Sequence, residues 1–188
     1  MVALFLLAYW LYIDGVDTII LMATDYGKSL GFDTNKLIVA LLITQFVGFP
    51  SALLFGKIGE RIGAKTGIFI GLGVYLFVTT WGYFMKNANE FFGMAIVIGL
   101  VQGGVQSLSR SLYARLIPPD KAGEFFGFYN MLGKFAAVLG PAIMGTVGKL
   151  TGSPRVAIFA IAGLFIAGGV LLSQVRVEAS PPRGDGRL

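Results

Sequence analysis

The sequence contains no cysteine and no histidine. The first absence excludes a disulfide framework and a thiolate metal site. The second removes the commonest metal ligand and the usual proton carrier near neutral pH. Charge is scarce too: 13% of the 188 residues are charged, against about 25% in an ordinary soluble domain. No nucleophile–base pair, metal cluster or phosphate loop stands out, so neither an enzyme nor a cofactor protein is expected. The net charge of +5 does not point to nucleic acid. The basic residues sit in short turns and form no stripe with interleaved aromatics. The N-terminus enters an apolar run without a charged n-region or a small-residue cleavage site, so this run reads as a retained helix.

What is abundant is apolar surface and glycine. Hydrophobic residues make up 55% of the chain and glycines number 27, with mean hydropathy +0.76. A helix needs about 20 mainly apolar residues to cross the hydrocarbon core. Six stretches qualify, at about 2–24, 36–57, 66–85, 90–114, 123–148 and 155–175. Runs of this length set aside a soluble helical domain. The expected fold is an all-α membrane protein, a bundle of six transmembrane helices over 1–175. Residues 176–188 read as a polar, proline-broken, disordered tail.

Orientation follows from Lys and Arg. On one side lie Lys57, Arg61, Lys65, Arg110, Arg115, Lys121, Arg176, Arg183 and Arg187; on the other lie Lys28, Lys36, Lys86, Lys149 and Arg155. The bias puts both termini in the cytoplasm, with the plasma (inner) membrane as the expected location. An offset of 89 residues maps Gly56, Gly59 and Gly63 onto Gly145, Gly148 and Gly152, Phe46 onto Phe135, Gln45 onto Lys134 and Asp17 onto Gln106. Three spans per unit reverse the second unit's direction, as in a 3+3 inverted repeat.

Charges inside spans are costly and mark functional sites by default. Asp14, Asp17 and Lys134 are the clear cases. Asp14 and Asp17 are three apart and are expected to share a helix face. At 1.5 Å per residue, Asp14 lies about 16 Å into its span and Lys134 about 18 Å into its own, both near mid-membrane. Gln102 and Gln106, followed by Ser109 and Arg110, form a polar stripe that would line a cavity. Asn130 extends the polar face around Lys134. An Asp of span one and Lys134 are expected to face one aqueous cavity, as a structural ion pair or as a site for the two charged groups of a zwitterion such as an amino acid. A carboxylate in a low dielectric can exchange protons. Without histidine, Asp14 or Asp17 is the expected carrier; the competing reading keeps both ionised beside Lys134. Trp10, one turn before Asp14, either lines the cavity or packs. Gly67-x-x-x-Gly71 and Gly99-x-x-x-Gly103 have the spacing for close helix approach. Pro50 and Pro141 are expected to kink or interrupt their spans.

The stretch GKIGERIGAK, Gly56 to Lys65, follows span two. Its pattern Gly56-x-x-x-Glu60-Arg61-x-Gly63-x-Lys65 resembles the signature loop of the major facilitator superfamily, with Glu60 where aspartate is usual. Ser107 to Pro141, SLSRSLYARLIPPDKAGEFFGFYNMLGKFAAVLGP, and Tyr9 to Ile20, YWLYIDGVDTII, resemble the tenth-to-eleventh and seventh helices of the vacuole-effluxer-like branch, whose fungal members export amino acids from the vacuole. The resemblance covers about 3–175 and matches the C-terminal half of a twelve-helix carrier. It implies alternating-access transport of a small solute, with proton coupling compatible with that mechanism, and Gly56, Glu60, Arg61, Gly63 and Lys65 as a conformational latch. One bundle needs a partner: an N-terminal six-helix half, in one chain or split, or a second copy. A non-transporting membrane module that binds a partner or lipid is the alternative.

Overall fold

The computed structural model describes residues 1–176, apart from the side chain of Glu60. The expected tail from residue 177 onward lies outside the described residues. Eight α-helices follow in order: α1 Val2–Ser29, α2 Thr34–Ile62, α3 Ala64–Phe84, α4 Ala88–Leu116, α5 Ala122–Phe135, α6 Leu139–Thr151, α7 Pro154–Ala160 and α8 Ala162–Gln174. They make six helical segments long and apolar enough to cross a membrane, with α5–α6 as the fifth and α7–α8 as the sixth. No strand occurs among the described residues.

Local chemistry sets the helix ends. Asp33 caps α2 by accepting the Asn35 N–H, and Asn87 caps α4 by accepting the Glu90 N–H. Between α7 and α8, Ile161 stays helical at φ −63° and ψ −24°. The tightened bonds from Ile161 N to Ile158 O and from Leu164 N to Ile161 O carry the sixth span through without a break.

The two intrahelical prolines have different outcomes. Proline removes one N–H and crowds the carbonyl four residues earlier. Pro50 lies within a continuous α2. Pro141 falls in the first turn of α6, and the chain breaks just before it. Ala136 is extended at φ −60° and ψ −177°, and Ala137 takes φ 59°. A positive φ costs a non-glycine residue free energy, and inside a membrane the freed backbone groups need outside partners. Those partners come from α1.

Packing follows an exchange between the two halves of the chain. The second span packs on the fourth, and the fifth packs on the first. The first packs on the sixth, and the fourth packs on the third. Exchanging spans one with four, two with five and three with six turns each pair into the other. This is the contact pattern of a 3+3 inverted repeat, half of a major-facilitator-type fold.

Small residues make the closest of these contacts. A Cβ at Gly99 would stand 2.8 Å from the Thr44 carbonyl oxygen, and one at Gly103 would stand 2.8 Å from that of Gly48. The Gly99-x-x-x-Gly103 ladder therefore seats α4 against the backbone of α2. Thr44 adds a hydroxyl bond to Ala95 O at 3.1 Å, and Ser51 Oγ donates to Leu100 O. Gly67 and Gly71 receive Leu108 and Val105 of α4 in the same manner.

Candidate functional site

A cavity of about 740 Å³ opens between α1, α2, α4 and α5. Helices α1, α4 and α5 each contribute one stripe, and α2 contributes Ala52. Tyr9, Ile13 and Asp17 recur every four residues on α1; Gly103, Gln106, Ser107 and Arg110 come from α4; Tyr129, Asn130, Gly133 and Lys134 come from α5. Spacings of three and four keep such residues on one helical face. Asp17 and Gln106, equivalent under the 89-residue offset, both line the cavity.

The structure separates the two aspartates of α1. Three residues turn a helix through about 300°, so their directions differ by about 60°. Asp17 faces the cavity. Asp14 is fully buried and faces the break in the fifth span. Its Oδ2 accepts the Leu139 N–H at 2.9 Å, and its Oδ1 accepts the Gly140 N–H at 2.7 Å and the Thr18 hydroxyl at 3.2 Å. The expectation that Asp14 shares the cavity face is corrected: it caps the N-terminus of α6. Capping removes two orphan donors, and the carboxylate lies at the positive end of the helix dipole. One turn earlier, Trp10 Nε1 donates to Phe135 O at the end of α5, at 3.4 Å. Thus α1 supplies an acceptor for one side of the break and a donor for the other.

Gln102 is a second correction. It does not line the cavity, and its Oε1 is buried without a hydrogen-bond partner among the described residues. Ser109 also lies inside the bundle, fully buried and 2.7 Å from the Tyr12 hydroxyl.

Arg110, the last residue of the polar stripe, lies within α4, which runs to Leu116, and stands in the cavity wall. Its Nη2 donates to Asn130 Oδ1 at 3.3 Å, and its guanidinium lies 5.8 Å from the Phe126 ring centroid. The signal was present in the sequence: Gln102, Gln106 and Arg110 recur every four residues. The tyrosines beside the cavity form a stack that no sequence spacing marks. Tyr9 stacks on Tyr129 at 4.3 Å, Tyr129 on Tyr113 at 4.9 Å, and Tyr113 on Phe5 at 5.7 Å. Each such pair contributes about 0.5–1.5 kcal/mol beyond area burial. Together they join α1, α4 and α5 beside the cavity.

The cavity wall thus carries one carboxylate, two cations, two amides and two phenols. It presents groups of both charge signs to one space.

The glycine-rich stretch after span two is mostly helical. Gly56, the backbone of Glu60, and Arg61 belong to the end of α2; Gly63, at φ 87°, is the only residue between α2 and α3. Lys65 Nζ donates to Ser173 O at 2.8 Å and to Val175 O at 2.7 Å. It ties the start of α3 to the last carbonyls of α8, which have no intrahelical donor. Arg61 is exposed, and a Cβ on Gly56 would meet open space.

The family model described as vacuole effluxer Atg22 like matches residues 1–183. The chain is 44% identical over 177 residues to an uncharacterized MFS-type transporter, YxiO, of Bacillus subtilis, covering 94% of this chain and 41% of that protein. It is 30% identical over 199 residues to autophagy-related protein 22-2 of Aspergillus oryzae, covering 97% of this chain and 33% of that protein. The chain therefore spans less than half the length of these curated relatives.

Proposed function

The chain belongs to the vacuole effluxer Atg22-like family, and we propose that it forms one six-helix half of a carrier that moves a small solute across a membrane. The observation that carries this reading is the cavity, where Asp17 of α1 shares a wall with Arg110 of α4 and Lys134 of α5. Intramembrane charges facing a cavity mark a solute or ion path. Amino acids are the solute class that suits this wall. A free amino acid presents an ammonium to Asp17 and a carboxylate to Arg110 and Lys134, with Gln106 and Asn130 as neutral hydrogen-bonding groups. Asp17 is also the group proposed to carry a coupled proton.

A second six-helix unit covers the open side. Two elements of the cavity wall present large apolar side chains outward: Phe46, Phe49 and Leu53 on α2, and Phe128, Met131 and Phe135 on α5. Rocking of the two units about the cavity would alternate its access. The Lys65 contact to α8 would act as the latch of one state, together with Gly56, Glu60, Arg61 and Gly63. The charge bias supports cytoplasmic termini in the plasma (inner) membrane.

The test is uptake of labelled amino acids into proteoliposomes holding the full-length protein. Solute flux that Asp17→Asn and Lys134→Ala both abolish is expected. Flux unchanged by both substitutions would overturn the assignment of the cavity.

A further inference from the structure

A second polar cavity lies apart from the solute site. It measures about 420 Å³ and is lined by Gly63, Lys65, Leu112, Arg115, Ser173 and Arg176, among others. Its cations come from three separate places: Lys65 from the first turn of α3, Arg115 from the last turn of α4, and Arg176 from just beyond α8. No acidic side chain lines it among the described residues.

The charged side chains of this pocket favour an anion. Lys65 is held by two carbonyls, Ser173 O and Val175 O. An ammonium has three N–H donors, so one is left, on a head group already fixed in place. The two arginines add planar forks that match the oxygens of a phosphate. The first turn of α3 has neither an acidic residue nor a side-chain cap on its N-terminus, so it adds no negative group of its own. The start of one helix and the ends of two others meet here, which puts the pocket where the spans leave the membrane. Basic pockets between spans at this level suit phosphate head groups.

We propose that this pocket binds a phosphate group presented at the membrane surface. The proposal does not rest on the solute site, because the pocket shares no lining residue with that cavity, although Gly63 and Lys65 also belong to the proposed latch. An anionic lipid in the adjacent leaflet and a soluble phosphate both supply the chemistry, and the experiment separates them.

The full-length protein is placed in nanodiscs of phosphatidylcholine alone or with phosphatidylglycerol, and its thermal midpoint and lipid affinity are measured. Phosphatidylglycerol is expected to raise the midpoint. Arg115→Gln and Arg176→Gln should each lower its affinity roughly fivefold, the effect of one cation near a membrane surface. A pair of controls at the opposite end, Lys36→Gln and Lys86→Gln, should leave the increment intact. The midpoints in pure phosphatidylcholine report whether each variant is folded. If inorganic phosphate in phosphatidylcholine nanodiscs reproduces the increment and the arginine variants remove it, the pocket takes a soluble phosphate. If the arginine variants keep the full increment, or the control pair loses as much, the proposal is overturned.

Discussion

The carboxylate of Asp14 accepts the backbone N–H of Gly140 at 2.7 Å, across 126 positions of sequence. A buried aspartate at the centre of a span is thereby engaged with the backbone of a broken helix. The contact lies at the break of the fifth span, while Asp17, the other aspartate of α1, faces the cavity.

Removing this cap should destabilise the bundle. Asp14→Ala leaves the N–H groups of Leu139 and Gly140 without their acceptor, at about 1–3 kcal/mol for each buried group. Asp14→Asn keeps one acceptor and should lose less. Thermal unfolding in detergent measures both. Equal midpoints for wild type and Asp14→Ala would show that the cap contributes nothing.

Gly140 should tolerate no side chain. A Cβ there would stand 2.6 Å from the Cβ of Thr18 and 2.8 Å from Asp14 Oδ1. Gly140→Ala is expected to cost about 1–3 kcal/mol, the usual range for overpacking. Because the chain has no cysteine, a single cysteine at Ala137 reports the break directly. Its labelling rate by a water-soluble maleimide should rise in the Gly140→Ala background.

In the cavity the arginine should matter by shape as well as charge. Arg110→Lys keeps the charge but loses the planar fork that reaches Asn130 Oδ1. Uptake of the best amino-acid substrate is expected to fall at least about tenfold, the loss of one charged hydrogen bond of 1.5–3 kcal/mol. Asn130→Ala should give a smaller loss. Wild-type uptake by Arg110→Lys would remove Arg110 from the site.

Lys65→Met should loosen the end of α8 without unfolding the bundle. The substitution keeps the apolar stem and removes the donor to Ser173 O and Val175 O. Hydrogen exchange is expected to speed up at Leu172 to Val175 while that of α1 stays unchanged. Unchanged exchange at those amides would show that the Lys65 contact does not hold the end of α8.

The ladder at Gly99 and Gly103 was legible from spacing alone, and so were all six spans. Long apolar runs and i, i+4 glycines are local properties that need no knowledge of neighbours. Arg110 was legible too, on the same stripe as Gln106. The tyrosine stack was not legible, because Phe5, Tyr9, Tyr113 and Tyr129 meet only when three helices are assembled.

By itself the sequence determined the number of spans, the three intramembrane charges, the inverted-repeat spacing and the proline that makes the fifth span breakable. These follow from hydropathy, periodicity and the missing N–H of proline. The tertiary structure alone decided that Pro141 breaks its helix while Pro50 does not, and that Asp14 caps while Asp17 faces the cavity. The reason is partner supply. A broken backbone in a membrane survives only where another helix satisfies its freed groups, and α1 brings Trp10 and Asp14 to the ends exposed near Pro141. No local reading of either segment contains that meeting.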